Sequence, residues 1–529
     1  MRTGAEYRRS LRDGRRVWIL GEGPVDDIAT HPATAPLVDV YAAWYDRHAD
    51  PAWQAVLLDE PDAAGTRSPL AFEIPACAED LRRLGKAVHT VALLNAGNIT
   101  HTPGYGAMIA LGIVDAVKRL GVPAERVAAA EAYRNDLARR GRFITFAAGV
   151  PPPADRFRAP DERQTVRVVK ETAAGVVVRG MVGNHTSVPF VDEVFVSGGT
   201  MAPVPEQRVW FAVPVAAPGV QVIARKVVAR HPNPFIAPLS SRFDELDGQL
   251  WLDDVLIPWE RVFALGYERP AADAARHWES IATWLFWHQQ LAWLAHAEFT
   301  LGLALAVAEA MGLKGVQGVV DQLVDLVIDV QTIRSCVTAA ELDPIVTPAG
   351  YIAPNVLHLS SASIYNLRQR QRMTEILRNL SGQAGVLSPA NTDLADERLA
   401  AGLELAFGGG GYTALQRSAL MQLVWDHVAS GLDGRQAAFE THANGGLPAW
   451  RQRMQRWFER YSELANGTLC VLDLAMPALD LDGLRDVAPA VRVGGGAAAV
   501  GPHSPPSSLS QSWEREGRSG VGRSDVTSG

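Results

Sequence analysis

The amino-acid sequence predicts an α+β protein in which a helical domain is followed by a β domain and then by a helical bundle. Three observations predict this order: apolar residues at helical spacing before residue 140, short β-branched segments from 164 to 265, and long apolar stretches after residue 277. The predicted boundaries are 1–148, 149–266 and 267–473, followed by a linker and disordered Gly/Ser/Pro-rich tail at 474–529.

The N-terminal part has a helical period from residue 81 to residue 140. The sequence GVPAERV predicts a turn and a new helix start at Pro123. The run GVPPPADRFRAPDE, residues 149–162, combines prolines with charges, so neither helix nor sheet can continue through it. We therefore expect a crossing between two domains there.

The central part is rich in β-branched residues. Its segments are separated by Gly, Pro or Ala turns, and the last of them, QLWLDDVLIPWERVF, contains Pro258, which should end a strand. The predicted strands lie in TVRVVKETAAGVVVRG (165–180), VDEVFVSGG (191–199), QRVWFAVPV (207–215) and VQVIARKVV (220–228).

The C-terminal part predicts helices that are apolar on several sides. The stretch Trp284 to Leu305 is too apolar for one narrow stripe, so other helices must enclose it, and we expect a bundle and a homotetramer. His288, Gln289 and Gln290 interrupt the most apolar segment. We expect neither a membrane span nor a signal peptide.

Composition and charge exclude several function classes. The chain has 529 residues, 47% apolar and 20% charged, which is enough to bury a core. The 50 Lys and Arg are outnumbered by 58 Asp and Glu, for a net charge of −8, and no basic block could follow a phosphate backbone. Nucleic acid is therefore not an expected partner.

The usual metal and nucleotide motifs are missing from the sequence. Three scattered cysteines, Cys77, Cys336 and Cys470, do not form a disulfide framework, a zinc site or an iron–sulfur site, and indicate a reducing cytoplasm. The glycine string at 408–412 lacks the context of a phosphate loop. The spacing of His277, His288 and His296 does not match a pair of metal ligands on one helix, so we expect buried or interface histidines.

Six sequence strings form a specific combination: RTGAEYRRSLRDGRRVWILGE (2–22), THP (30–32), KETAAGVVVRG (170–180), PLSSR (238–242), DDVLIPWERVF (253–263) and SGLDGRQAAFE (430–440). Together they resemble one known family, the oxygenase component of the flavin-dependent 4-hydroxyphenylacetate 3-hydroxylases. The resemblance implies an acyl-CoA dehydrogenase-like fold with a central β barrel, and a tetramer. It also implies use of reduced FAD from a separate flavin reductase, and transfer of one oxygen atom of O2 to a phenol.

The resemblance also implies the catalytic residues. The stretch NAGNITHTPGY, residues 95–105, matches the family segment that carries an arginine and a tyrosine four residues apart. Tyr105 is retained, His101 takes the place of the arginine, and Asn98 is expected in the substrate pocket. His101 could act as a base and Tyr105 as a hydrogen-bond donor, although the fixed charge of the guanidinium is lost.

The other implied site residues are carried over by position. Phe146 takes the place of a phenol-directed histidine in the substrate pocket, and Ala147 and Ala148 follow it where polar flavin contacts are usual. In GNHTSVPF, residues 183–190, two flavin-contacting threonines are replaced and the alignment carries one extra residue. The expected cofactor-binding residues are Ala147, Ala148, His185, Ser187, Ser388, Pro389 and Asn391.

These observations favour a two-component flavin monooxygenase that acts on an aromatic or related small molecule, with a pocket altered from the phenol-hydroxylase pattern. Two alternatives remain open. One is a flavin-dependent dehydrogenase or dehydratase, although a dehydratase would need cysteine and histidine ligands for a cluster. The other is a non-catalytic scaffold, suggested by the poor AAGVPPP loop at 147–153.

Overall fold

Helices occupy most of the chain on either side of a central region of strands. The computed structural model describes residues 2–61, 65, 67–148, 153–159, 162–197, 204–228, 233–268, 274–442, 445–455, 457, 461, 464 and 468. These residues belong to one unit, residues 1–494. The predicted tail at 474–529 lies outside the described residues, and the predicted domain boundaries stay a prediction.

The helices begin and end close to the predicted signals, and α6 starts directly after Pro123 as expected. The α-helices are α1 (Gly4–Ser10), α2 (Ala35–Arg47), α3 (Pro51–Leu57), α4 (Ala78–Leu93), α5 (Pro103–Leu120), α6 (Ala124–Arg140), α7 (Ser240–Phe243), α8 (Ala274–Ala310), α9 (Gln317–Leu342), α10 (Val356–Ser381), α11 (Ala384–Leu387), α12 (Asn391–Leu394), α13 (Ala400–Phe407), α14 (Ala414–Val428), α15 (Gly431–His442) and α16 (Gly446–Gln455).

The strands form two larger sheets and one short hairpin. Strand β9 ends at Pro258, as expected. The strands are β1 (Val17–Ile19), β2 (Gly23–Val25), β3 (Ile144–Ala148), β4 (Arg167–Thr172), β5 (Gly175–Thr186), β6 (Glu193–Ser197), β7 (Trp210–Pro214), β8 (Val220–Ala224), β9 (Asp247–Pro258), β10 (Val262–Ala264), β11 (Ile345–Val346) and β12 (Ile352–Ala353).

The N-terminal segment contributes strands to both larger sheets, which its helical pattern did not predict. One sheet has the order β2-β1-β8-β9-β5-β4, and the other has the order β10-β7-β6-β3. Strand β1 pairs in parallel with β8, and β3 pairs in parallel with β6. In β1, Val17 and Ile19 are buried while Trp18 is exposed, a period of two that is too short to stand out in the sequence.

A second departure lies in the helical bundle, where β11 and β12 form an antiparallel hairpin between α9 and α10. The local sequence is DPIVTPAGYIAP, in which Pro344 and Pro348 prevent a helix from continuing. Gly350 has a φ of 84°, which a glycine adopts without strain. The hairpin therefore follows from local turn chemistry.

Helix α8 is the central helix of the bundle. It packs against α4, α5, α9 and α10 of the same chain, and Trp284, Trp287 and Trp293 are fully buried. Residues 279–310 are long and apolar enough to cross a membrane by length and composition, but most of this segment is buried inside the protein, as in a core helix. Most of its apolar surface is thus buried within one chain, so this helix alone does not require an oligomer.

A buried carboxyl group lies where α4, α8 and α9 meet. The indole Nε1 of Trp287 donates a hydrogen bond of 2.9 Å to Glu341 Oε1. Gly85 of α4 faces the same carboxyl, and a Cβ at position 85 would collide with it. Burial raises the pKa of Glu341 to about 7, and the bond from Trp287 only partly offsets this.

Glu341→Gln should therefore change how stability depends on pH. The folded-state pKa lies above the unfolded value, so the wild-type protein loses stability as pH rises from about 4.5 through about 7. Relative to the wild type, the variant should gain on the order of 3 kcal/mol between about pH 5 and pH 8. Urea unfolding at both pH values measures this, with exposed Glu397→Gln as the control. A constant difference between wild type and E341Q across this range would contradict the prediction.

Candidate active site

The buried carboxylate of Glu245 organises the turn that precedes helix α5. Its oxygens accept hydrogen bonds from the backbone N–H of Thr100 at 3.1 and 3.2 Å and from that of His101 at 2.7 Å. The hydroxyl of Thr100 also donates to Glu245 Oε2 at 2.9 Å. Glu245 has no solvent exposure. The Glu245 side chain therefore fixes the backbone at Thr100 and His101.

The sequence THTPGY, residues 100–105, forms the start of helix α5. Thr102 is the N-cap of α5, its side chain accepts a hydrogen bond from the Tyr105 backbone N–H at 3.3 Å, and Pro103 occupies the first helical position. This start places His101 before the helix and Tyr105 in its first turn. The two side chains that the sequence paired are brought together, with ring centroids 4.1 Å apart.

Two further histidines surround this pair. The His288 ring of α8 lies 5.2 Å from the Tyr105 ring, and His288 Nε2 is 3.3 Å from Thr102 Oγ1. Burial lowers the pKa of His185 and of His288 to about 3, so both imidazoles are neutral at physiological pH. Burial also raises the pKa of Tyr105, and the nearby Glu245 carboxylate adds to that shift. Tyr105 therefore stays a protonated hydrogen-bond donor.

A second ion-pair group lies beside Glu245 and joins the six-stranded sheet to helix α15. Arg435 contacts Asp247 through two bonds of 2.6 and 3.1 Å, and its Nη1 lies 3.6 Å from Glu245 Oε2. Arg225 also donates to Asp247, through Nε to Oδ2 at 2.8 Å. Although burial opposes ionisation, these arginines keep the pKa of Asp247 below its ordinary value, and the bonds from His101 together with Arg435 do the same for Glu245.

A β-bulge directs His185 of strand β5. Strand β5 pairs with β9 at Val182 opposite Leu250 and at His185 opposite Gly248, so β5 holds one extra residue between these pairs. This coincides with the extra residue in the alignment. His185 contacts the Phe146 backbone, while its Nε2 is buried without a hydrogen-bond partner among the described residues.

The remaining predicted residues fall into two groups. Ala147 and Ala148 continue β3 directly after Phe146, whose backbone His185 contacts and whose ring packs on Phe195 at 5.8 Å. Ser187 is already engaged within the protein, since its hydroxyl lies 2.6 Å from the Tyr41 hydroxyl and 3.3 Å from Glu245 Oε1.

The other group comprises Asn98, in the turn before His101, and three residues of the C-terminal helical part, Ser388, Pro389 and Asn391. Asn98 is buried and its amide bonds the Asn95 carbonyl at 3.0 Å, which stabilises the local turn. The Ser388 hydroxyl donates to the Ala384 carbonyl, Pro389 is buried, and exposed Asn391 accepts a hydrogen bond from Asn233 at 2.8 Å.

A cavity of about 630 Å³ lies next to this cluster. Its volume falls within the usual range for small-molecule sites. Thr102, which contacts His288, lines the cavity together with apolar residues of α2 and α4, among them Trp44 and Val91. Ser240 and Ser241 also line it, and their buried hydroxyls have no hydrogen-bond partner among the described residues. The cavity thus combines an apolar wall with a few free polar groups.

The family follows from comparison with known proteins. Residues 3–264 match the description "4-hydroxyphenylacetate 3-hydroxylase N terminal", and residues 275–466 match "4-hydroxyphenylacetate 3-hydroxylase C terminal". The chain belongs to the 4-hydroxyphenylacetate 3-hydroxylase family. The resemblance seen in the sequence is therefore confirmed.

Individual members of this family cover most of the chain. The 4-hydroxyphenylacetate 3-monooxygenase oxygenase component of Thermus thermophilus is 32% identical over 453 residues, 83% of this chain and 91% of that protein. The FADH(2)-dependent monooxygenase TftD of Burkholderia cepacia is 27% identical over 449 residues, 83% of this chain and 86% of that protein.

A solved member confirms the predicted fold class. The oxygenase component of 4-hydroxyphenylacetate 3-monooxygenase, complexed with FAD and 4-hydroxyphenylacetate, superposes with a TM-score of 0.80 at 29% identity. The match covers 89% of this chain and 100% of that chain. The mixed arrangement of strands in the central region and helices on either side, expected for this hydroxylase family, is therefore present.

Three residues of the site were not assigned a role from the sequence. Glu245 lies in the acidic string DELD (244–247), which Phe243 separates from PLSSR, and Arg435 lies in the motif SGLDGRQAAFE, so both were within or beside segments that carried the family resemblance. His288 and His296 are buried, as expected, but only the structure shows that His288 lies against Tyr105. The side chain of His277 lies outside the described residues.

Arg435→Met should strongly destabilise this hydroxylase. The substitution leaves the buried carboxylate of Glu245 and the half-buried carboxylate of Asp247 with less positive charge, and breaking a buried ion pair from one side costs about 3–5 kcal/mol. Chemical denaturation measures the loss. The control is Arg398→Met, since Arg398 forms an exposed pair with Asp396 and should leave stability unchanged. Equal effects of the two substitutions would contradict this account.

Proposed function

We propose that this chain is the oxygenase component of a two-component monooxygenase that uses reduced FAD and O2 to hydroxylate an aromatic small molecule. The observation that carries the proposal is the buried pair of His101 and Tyr105, at the positions of the family's phenol-directed arginine and tyrosine, in a chain whose two halves both match the hydroxylase family. A separate flavin reductase supplies the reduced cofactor.

The residues around His185 fit a flavin. The buried Nε2 of His185 has no hydrogen-bond partner among the described residues, and a bound heteroaromatic ring could complete its hydrogen bond. We propose that Ala147, Ala148 and His185 lie against the ring system, with Ser187 behind them. Ser388, Pro389 and Asn391 are proposed to contact the nucleotide part. When bound, reduced FAD supplies the electrons that activate O2.

The protein groups would bind and orient the substrate hydroxyl. Tyr105 stays protonated and can donate a hydrogen bond to the substrate oxygen, while His101 can accept the proton of a phenol. His185 and His288 are neutral and add no positive charge. Because the family's arginine is absent, this site favours phenolate less through fixed charge and depends more on a positioned base.

The substrate class follows from the same residues. Phe146 replaces a polar group and packs on Phe195, so this side of the proposed pocket is apolar and aromatic. Asn98 uses its amide for the local turn, so we propose that it shapes the pocket and does not contact the substrate through its NH2 group. An aromatic compound with a hydroxyl near His101 and an apolar remainder fits this arrangement.

His101→Gln should retain reduced-flavin binding and lose hydroxylation. Loss of a general base typically lowers the rate by about 10²–10⁴-fold. We would follow anaerobic titration with reduced FAD, and then oxygenation with 4-hydroxyphenylacetate as the probe, measuring product formed per flavin oxidised. Exposed His442→Gln is the matched control and should behave as the wild type.

The same titration separates the alternatives. Ligand at 100 times its Kd stabilises the native state by about 2.7 kcal/mol, so reduced FAD should raise the melting temperature of the wild type. A wild-type chain that neither binds reduced FAD nor hydroxylates the probe would favour a scaffold. Bleaching of bound oxidised flavin by an acyl-CoA would instead favour a dehydrogenase.

We further infer a homotetramer located in the cytoplasm. The support for assembly is a row of exposed apolar residues on α9, where Val324, Val327 and Ile328 are 51%, 41% and 53% exposed in the single chain. Their spacing puts them on one helix face, which is typical of an interface. The inference of a cytoplasmic location rests on the scattered cysteines of the sequence, of which Cys77 and Cys336 are free in the described residues.

Light scattering on the full chain should give about four times the chain mass of 57.0 kDa. Ile328→Asp should lower this mass, because burying an unpaired carboxylate in an interface is costly. Val346→Asp, at a 72% exposed apolar residue outside α9, is the control and should leave the mass unchanged. A monomeric wild type at micromolar concentration would contradict the tetramer.

A further inference from the structure

The hydroxyl of Thr100 lies between the His101 ring and the Glu245 carboxylate, within hydrogen-bond distance of both. Its Oγ1 is 2.8 Å from His101 Nδ1 and 2.9 Å from Glu245 Oε2. A threonine hydroxyl has one proton to donate and lone pairs with which to accept. The direction of one bond therefore determines the direction of the other.

Glu245 can only accept. Two backbone N–H groups, from Thr100 and His101, point at its oxygens, and the Arg435 guanidinium lies 3.6 Å away. If this carboxyl group were protonated, its O–H would point at other hydrogen-bond donors. The surrounding groups therefore favour the ionised carboxylate. The Thr100 proton is therefore donated to Glu245, and its oxygen is left to accept from His101.

From this chain of bonds we infer that Glu245 and Thr100 are positioning residues that keep a proton on Nδ1 of His101, so that Nε2 is the ring nitrogen that accepts the proton of the substrate. His101 Nδ1 donates to Thr100 Oγ1, and the same Nδ1 lies 3.7 Å from Glu245 Oε1, which favours a proton at that position. Nε2 makes no hydrogen bond to any described residue, so it is available to accept one.

This inference rests on the proposed function for its chemical consequence. A proton passes from the substrate O–H to His101 Nε2, and the electron pair of that bond stays on the substrate oxygen, so no oxidant or reductant is needed. Developing positive charge on His101 is stabilised by the buried Glu245 carboxylate. Through this relay the histidine compensates for the fixed charge of the family's arginine.

The tautomer can be read directly without flavin or substrate. Solid-state NMR of the full chain labelled with 15N-histidine distinguishes protonated from unprotonated ring nitrogens. His101 is identified among the 13 histidines by the signals that disappear in His101→Gln. We expect Nδ1 protonated and Nε2 unprotonated in the wild type. An Nε2–H tautomer for His101 would overturn the inference.

A pair of variants at position 100 tests the relay. Thr100→Val keeps the shape but removes the hydroxyl, and should shift His101 toward the other tautomer and lower kcat for the probe by at least about 10-fold. Thr100→Ser keeps a hydroxyl and should restore both the wild-type NMR signals and the rate. Wild-type signals in T100V would refute the role of Thr100.

Glu245→Gln tests the second step. A glutamine can donate to Thr100 Oγ1, which frees the threonine proton for His101 Nδ1 and should reverse the tautomer. If E245Q does not fold, the Thr100 pair still decides the inference. If His101 has the expected tautomer but T100V and H101Q hydroxylate the probe as fast as the wild type, the proposed role of His101 as a base is refuted. Failure of the tautomer inference and failure of the proposed function therefore give different results.

Discussion

The buried carboxylate of Glu245 is the interaction on which the rest of the site depends. A carboxylate without solvent is costly unless each oxygen is surrounded by donors and positive charge. Here those donors come from separate parts of the chain: the turn before α5, the Ser187 hydroxyl after β5, and Arg435 of α15. The Glu245 carboxylate thereby connects helical segments from both ends of the chain with the six-stranded sheet. The backbone N–H of His101 donates a hydrogen bond to the same carboxylate.

The same constraint explains how the family's scaffold accepts a histidine in place of an arginine. The guanidinium of an arginine carries its own permanent charge, whereas a neutral imidazole has a function that depends on which nitrogen holds the proton. In the inferred relay, Thr100 and Glu245 determine which ring nitrogen of His101 holds the proton. Neutral His185 and His288 leave the electrostatics of the site to the Glu245 and Arg435 pair.

Much of the architecture could be predicted because it depends on local pattern. Pro123, Pro258 and the N-cap Thr102 act within one or two residues of themselves, and the structure places element ends at each of them. Strand β1 was missed because three residues give too short a period to recognise, and its partner β8 lies about two hundred residues away. The apolar α8 was correctly expected to be enclosed, but the helices that enclose it belong to the same chain.

The sequence by itself determined the family, the order of helices and strands, and the pairing of His101 with Tyr105, because each depends on residues close together in the chain or on motifs that are specific as strings. Only the tertiary structure decided the surroundings of that pair. Glu245 follows His101 by 144 residues, and His288 and Arg435 come from still more distant helices. Burial and proton position are properties of this assembled environment, since they arise from the exclusion of water and from donors that meet only when the chain is folded.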